Sequence, residues 1–356
     1  MKRHIFFIGT LRNGGAERVV SILASQMAEQ GIDTEIVMYY DKPIFYEVSS
    51  KVKLTIAEKE TGTKSKVKNI LWLRKYFKAN AKIIISFLAP FNIMAIAANL
   101  GSGTPIIVAD RNDPRMVPSN NVIRKVRDFL YRFADGIVVQ TEKNKAYFSS
   151  SVQKKSVVIY NPVDFKKYAG IGLNTVKEKK IVTAGRLMPQ KNQTMMIRAF
   201  AEVLKKHPEY QLVIYGDGPS EAQLKALVEE LGISQNVFLP GNVKDLHDKI
   251  KSAEIFVLSS DYEGMPNALI EAMCLGLPCV STEVSGATDL IIHKKNGMLT
   301  KLNDQQEFTD AMLELIENPG VAAEICRQAV ELNEELRLSK IMNQWILFIK
   351  ATVGEM

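Results

Sequence analysis

Apolar residues along this 356-residue chain fall in short solid blocks separated by longer stretches of mixed polarity. In the first half the blocks lie near residues 4–9, 33–39, 52–56, 82–87, 105–109, 136–140 and 156–160. Most are Ile- and Val-rich throughout rather than alternating, the pattern of strands buried on both faces. Helical spacing fills the gaps. From Ala16 to Met27 the apolar positions Val19, Val20, Leu23, Ala24 and Met27 share one face, and Gly31 supplies a stop.

The pattern then restarts. Ile181 to Ala184 reads as a strand, 192–206 as a helix, Leu212 to Tyr215 as a strand and 220–231 as a helix. Further strands are predicted near 236–239, 254–258 and 278–281, with a helix near 266–275 and mostly helix from 304 onward. Alternating strand and helix predicts the α/β class with doubly wound parallel sheets. Two such runs, divided by the polar stretch 164–179, predict two Rossmann-like domains, and the length exceeds what one ordinary core needs. Ligands of such sheets bind at the carboxyl ends of the strands, so two domains facing one another would enclose a cleft.

Composition narrows the class without changing it. Hydrophobic content of 46% and charged content of 24% are those of a soluble globular protein. Cys274, Cys279 and Cys326 form no CxxC and cannot all pair, which suits buried thiols in a reducing cytoplasm. Met1 to His4 leads into no signal-peptide core. The uncharged stretch between Lys82 and Asp110 is long enough to suggest a membrane span. Pro90, Asn92, Asn99, Gly101, Gly103 and Pro105 interrupt it, so buried strand, helix and strand are expected instead.

Charge is distributed unevenly. Residues 1–170 hold 27 of the 46 Lys and Arg but 14 of the 39 Asp and Glu, a balance of +13 against −6 for the remainder. The first half is therefore expected to meet an anionic partner, either nucleic acid or a phosphate-bearing lipid. Two stretches, 64–78 and 122–133, read as amphipathic helices with aromatic residues and a cationic face, suited to an anionic membrane surface. The competing reading packs their apolar faces on the sheet. No nucleic-acid module is visible, so no nucleic-acid partner is expected.

Four glycine- or charge-marked turns carry the candidate chemistry. Gly9 to Arg18 follows the first strand and opens a helix at Gly14 and Gly15. It lacks the lysine and hydroxyl of a Walker loop and the spacing of a dinucleotide fingerprint. What remains is a helix start whose N–H groups suit an anion, or a tight turn needing positive φ. Gly185 to Asn192 follows the first strand of the second half, and its Arg186 and Lys191 could reach one diphosphate. Gly216 to Pro219 follows the next strand. Asp261 to Glu271 follows another. Pro266 suits a helix first turn there, and Gly264, Met265, Asn267 and Ala268 could offer N–H groups to a phosphate. Glu271, among apolar neighbours, needs a partner that a ligand hydroxyl could supply.

These residues resemble a known family. Glu263-x7-Glu271 with Gly276-Leu277-Pro278 is similar to the E-x7-E signature of glycosyltransferase family 4, retaining enzymes of the GT-B fold. Gly185-Arg186-Leu187 with Lys191-Asn192, Gly14-Gly15-Ala16-Glu17-Arg18, and Gly216-Asp217-Gly218-Pro219 resemble three further motifs of that family, in order and at matching spacing. The resemblance implies a second domain, 164–336, that binds a nucleotide sugar, most simply a UDP-linked hexose or N-acetylhexosamine. It implies Arg186 and Lys191 on the diphosphate and Glu271 on the ribose. Glu263 with the backbone of Gly264, Met265, Asn267 and Ala268 would meet the sugar and distal phosphate. The turn holding Asn242 and Val243 would approach the base, with Gly216 nearby. Gly14 and Gly15 would close over the diphosphate from a first domain, 1–163, onto which 337–356 cross back.

Many members keep a histidine at the end of the strand corresponding to 105–109. Here that strand ends in Asp110-Arg111-Asn112-Asp113-Pro114, a form resembling members that build surface polysaccharides. Asp110 or Arg111 is then expected to contact sugar or acceptor, with Glu263, Asp110, Arg186 and Lys191 as the catalytic set. No cofactor or metal is expected, since no Asp-x-Asp pair occurs and protein cations can neutralise the leaving diphosphate. The implied acceptor is a glycan on a polyprenyl diphosphate at the inner face of a bacterial membrane, which makes the protein cytoplasmic and peripheral. A nucleotide-sugar epimerase, or a binding or scaffold protein without turnover, would use a similar fold; the presence of both glutamates disfavours the scaffold.

Overall fold

The computed structural model describes residues 2–62, 65–162, 177–243 and 246–354, apart from the side chains of 332 and 333. Lys64 and most of the polar stretch 164–179 lie outside the described residues. Residues up to Pro162, together with those from Ser339 onward, form one compact unit, and the intervening chain through Leu338 forms a second.

The first unit is built on seven strands. They are β1 (Arg3–Ile8), β2 (Thr34–Met38), β3 (Lys53–Ile56), β4 (Ala81–Phe87), β5 (Ile106–Ala109), β6 (Gly136–Val139) and β7 (Ser156–Val158). All pair in parallel in the order β3-β2-β1-β4-β5-β6-β7. Phe6 lies in register with Ile36 on one side and Ile85 on the other. Covered on both faces, Ile5 to Ile8 are wholly buried, which is why β1 reads as an unbroken apolar run. The Gly15–Glu29 helix turns Val19, Val20, Leu23, Ala24 and Met27 inward, and Gly31 ends it at φ 82°. The stretch between Lys82 and Asp110 forms β4, the Ala89–Asn99 helix and β5. Among the described residues no helix is long and apolar enough to cross a membrane.

The Leu338–Val353 helix belongs to this unit. Its Trp345 is 1% exposed and stacks on Phe87 at 5.7 Å between ring centroids. Phe348 lies against Gly136, where a Cβ would come within 2.8 Å of its ring. A larger residue at that strand position would have to move the Phe348 ring.

The second unit holds six parallel strands. They are β8 (Glu178–Ala184), β9 (Gln211–Tyr215), β10 (Val237–Gly241), β11 (Ala253–Leu258), β12 (Cys279–Thr282) and β13 (Met298–Thr300), in the order β10-β9-β8-β11-β12-β13. This is the doubly wound dinucleotide-type order, and it reverses between β8 and β11. The Gln193–Lys206 and Gln305–Glu317 helices pack Met196, Phe200, Val203, Phe308 and Met312 against Ile181, Leu212, Ile214, Ile255 and Val257. Burying a residue such as Phe200 or Phe308 contributes about 1.5–3 kcal/mol. An exposed ion pair contributes about 1 kcal/mol or less. Packing, not surface charge, therefore holds these helices. The apolar pattern predicts neither β13 nor the Ser285–Leu290 helix, because three and six residues are too short to show a period.

Candidate active site

In the second unit, the loops that leave β8 and β11 meet at the switch point. They are stitched together by five contacts. Gln190 Nε2 donates to the Tyr262 carbonyl at 2.7 Å, and the Asp261 N–H donates to the Gln190 carbonyl at 2.9 Å. Ser259 Oγ donates to the Lys191 carbonyl at 2.8 Å. Asn192 Nδ2 donates to Asp261 Oδ1 at 2.9 Å. The Lys191 ammonium pairs with Glu263 Oε1. Asn192 can do this because it sits in the left-handed region, φ 45°, while its side-chain oxygen accepts the Met195 N–H that opens the Gln193–Lys206 helix.

Glu263 is fixed from a second side as well, since Ser260 Oγ donates to its Oε1 at 2.8 Å. Ser260 is itself anchored by Thr282 Oγ1, which donates to its carbonyl at 2.6 Å. The side chains of Lys191 and Glu263 are 19% and 11% exposed, so this is a mostly buried pair. Arg186 lies close by at the end of β8 with an exposed guanidinium, its carbonyl held by Gln193 Nε2 at 2.9 Å.

Gly216, Asn242 and Val243 belong to the same rim, at the ends of β9 and β10. The Gly216 N–H donates to the Gly241 carbonyl at 2.9 Å, and the Asn242 side chain pairs with Asp217. Two glycines here serve close backbone approach. A Cβ at Gly216, φ 143°, would fall 1.9 Å from the Gly185 carbonyl oxygen. One at Gly218, φ 154°, would fall 2.3 Å from that of Leu187. The turn thus seats the segment that carries Arg186.

Gly264 and Met265 are buried, and Asn267 and Ala268 are half-buried at the start of the Asn267–Cys274 helix. Pro266 occupies the cap position rather than the first turn, with an extended ψ of 106°, and the start of the Ser285–Leu290 helix packs against this loop. A Cβ at Gly286 would meet the Gly264 carbonyl at 2.2 Å. Glu271 is 5% exposed, and its charge adds to burial in pushing the Cys274 thiol up.

The remaining predicted residues lie in the first unit. Gly14 is extended, φ −161°, so the loop needs no positive φ there. It caps the Gly15–Glu29 helix, and a Cβ on it would meet Glu17 Oε2 at 2.2 Å. The anion expected at this helix start thus finds the helix's own first-turn carboxylate beside it. Gly15 is exposed.

Asp110, 1% exposed at the end of β5, accepts from the Tyr131 hydroxyl at 3.0 Å and lies 3.9 Å from Arg127 Nη1. Burial raises its pKa, against the pull of Arg127 and Tyr131. Arg111 is 6% exposed, bonded to Asn161 and set 5.9 Å over the Phe87 ring. Burial lowers its pKa to about 9, because Asp110 only partly compensates.

The structure therefore brings Arg186, Lys191, Gly216, Asn242, Val243, Glu263 to Ala268 and Glu271 to the carboxyl end of the second sheet. Asp110, Gly14 and Gly15 stand at the carboxyl end of the first. Ser259, Ser260 and Gly286 do not stand out in the sequence, and Gln190 and Asp261 lie inside the marked turns without a role of their own there. A lone Ser or Gln in a loop gives no periodic signal, and the partners of Gln190 and Ser259 lie about 70 positions away.

Two family models match the chain, one described as Glycosyltransferase Family 4 over residues 13–167 and one as Glycosyl transferases group 1 over 164–333. An N-acetylgalactosaminyltransferase of Campylobacter jejuni, named for a diNAcBac-PP-undecaprenol-linked acceptor, is 29% identical over 98% of both chains. An Escherichia coli UDP-Gal:α-D-GlcNAc-diphosphoundecaprenol α-1,3-galactosyltransferase is 30% identical over 54% of each. The solved structure of HepE from Anabaena in complex with UDP superposes with TM-score 0.81 and 18% identity, over 98% of this chain and 100% of that one.

Proposed function

Since this chain is a glycosyltransferase of family 4 with the GT-B fold, we propose that it moves a sugar, with retention, from a UDP-sugar to a lipid-linked glycan acceptor. The observation that carries the reading is the pairing of Lys191 with Glu263 across the stitched loops, at the switch point where doubly wound sheets bind ligands. An ammonium and a carboxylate held side by side suit a ligand with an anionic end and a hydroxylated end.

In this reading Arg186 and Lys191 hold the diphosphate and Glu271 the ribose, and the Asn242-Val243 turn meets the base. Gly216 shapes the wall, while Glu263 and the backbone of Gly264, Met265, Asn267 and Ala268 address the sugar. The bond from the sugar's anomeric carbon to the diphosphate breaks. The acceptor hydroxyl forms its new bond on the same face, and its proton passes to the departing phosphate oxygen, leaving UDP. Charge develops on the diphosphate as it leaves, and fixed cations stabilise that charge more in the transition state than before it. They do the work a metal ion does elsewhere, so none is needed. Asp110, buried at the end of β5, serves the acceptor side through the residues it orders.

Support for a diphospho-lipid acceptor comes from the names of the two bacterial relatives, and support for UDP from the named donor of one and the ligand of the Anabaena structure. A screen of UDP-sugars with a polyprenyl-diphosphate glycan, with product anomers read by NMR, tests it. An α-linked product from an α-linked donor is expected, and inversion would refute it.

A further inference from the structure

The Asn121–Leu130 helix and the turn Tyr131–Phe133 that extends it are packed inside out. The one buried residue of the helix is a cation, Arg127, 0% exposed. Its guanidinium is fully engaged inward. It donates to the Pro114 carbonyl at 2.8 Å and to Asp128 Oδ1, and lies 3.9 Å from Asp110. Val122, Val126, Phe129 and Phe133 are meanwhile 68%, 43%, 55% and 50% exposed. Their spacing of four, three and four residues puts them on one side of a helix. Phe129 and Phe133 meet edge to face at 5.5 Å, and beside Phe133 opens a groove of ≈ 250 Å³ lined also by Ile96, Leu100 and Pro105.

Cations fringe this stripe. Lys125 and Arg132 are exposed, with Arg132 set 6.0 Å over the Phe129 ring. Of the acids, Asp128 is tied to Arg127, and Asp135, which also lines the groove, accepts the Ile106 N–H at 2.8 Å. A two-fold contact between copies would bring the like-charged cations together. An anionic bilayer would neutralise them while its acyl boundary takes the stripe. The other basic helix, Lys66–Asn80, differs: Leu73 and Phe77 are buried and Trp72 stacks on Tyr76 at 4.6 Å.

We propose that the Asn121–Leu130 helix, with Phe133, is the surface by which this protein lies on an anionic membrane. The stripe enters the headgroup boundary, and Lys125 and Arg132 sit at the phosphates. The inference rests on the reading of the acceptor as lipid-linked and names the element that meets the lipid. Because Arg127 both pins this helix and faces Asp110, a bilayer seated on the helix lies in fixed register with the end of β5.

The test is flotation of the full chain with phosphatidylglycerol–phosphatidylcholine vesicles and with phosphatidylcholine alone. Wild type is expected to float with the anionic vesicles and to release with salt. F129D/F133D should lose at least tenfold in partitioning, and K125E/R132E should lose its preference for phosphatidylglycerol. As a measurement independent of those variants, V126W should shift to the blue with vesicles and be quenched by brominated lipid. Absence of wild-type flotation, a silent V126W, or a wild-type dimer that F129D/F133D makes monomeric would each overturn the proposal. UDP titration of the same variants should match wild type. A failure to bind UDP would count against the donor site and leave the vesicle result standing.

Discussion

Lys191 and Glu263, 72 positions apart in the chain, form a single ion pair whose carboxylate is also held by Ser260. In the proposed reading, the lysine that takes the diphosphate is thus already paired with the carboxylate that takes the sugar. On that proposal, donor binding draws Lys191 partly away from Glu263, and the two halves of the donor are sensed together.

That exchange gives opposite expectations for the two partners. Lys191→Ala removes a charge-assisted bond of about 1.5–3 kcal/mol, so UDP should bind about 10–100-fold more weakly. Glu263→Gln frees the lysine, so UDP should bind as well as or better than to wild type. Turnover of the UDP-sugar should nevertheless fall at least about tenfold. Calorimetry with UDP and a steady-state assay separate the effects; parallel losses of UDP affinity in both variants would contradict the assignment.

The glycine turn at the end of β9 makes a purely structural prediction. Gly216→Ala puts a methyl 1.9 Å from the Gly185 carbonyl at a φ of 143°. It should cost about 1–3 kcal/mol or more and disturb the Arg186 segment. Gly320→Ala, on the Pro319–Ala329 helix with nothing near its Cβ position, should instead stabilise by about 0.5–1 kcal/mol. Urea unfolding of the two variants measures the contrast.

The raised pKa of Asp110 fixes the sign of a pH effect. The folded state keeps the proton at a pH where an unfolded aspartate, near about 3.9, has lost it. The stability contributed is therefore present below the unfolded value and lost as pH rises through the folded one. Asp110→Asn cannot ionise, so its melting temperature should gain on wild type as pH climbs from the unfolded value through the raised one, then hold a constant difference. A difference that shrinks with rising pH would contradict the buried setting.

Trp345→Ala removes a fully buried indole stacked on Phe87. A loss of about 3–5 kcal/mol is expected. It should appear in the first unit's transition and spare the second's in a denaturant titration that follows both.

On the proposal that Arg186 and Lys191 supply the positive charge at the leaving group, excess chelator should leave the rate unchanged. A strict requirement for added magnesium or manganese would contradict this.

How much was legible follows from what leaves a periodic or compositional mark. β1 and β5 were readable because burial on both faces forces unbroken apolar runs. The rim positions at Gly185, Gly216 and Glu263 were readable because turns, helix starts and close backbone approach restrict residue type. The stitching by Gln190 and Ser259 was not, since it exists only once β8 and β11 lie side by side. The helix at 121–130 shows the opposite failure. Its pattern reads as amphipathic, but periodicity does not say which face turns inward, and burying Arg127 reverses the usual assumption.

The return of the Leu338–Val353 helix to the first unit bears on how the chain is made. The second unit is continuous in sequence, so all its partners are available once the ribosome has passed Leu338. The first has its seven strands early but waits, through the synthesis of the whole second unit, for Trp345 to cover Phe87. Through that interval Phe87 lacks the indole that stacks on it in the finished fold. Within these residues the first unit is started before the second and finished after it, the reverse of the usual order in which domains mature.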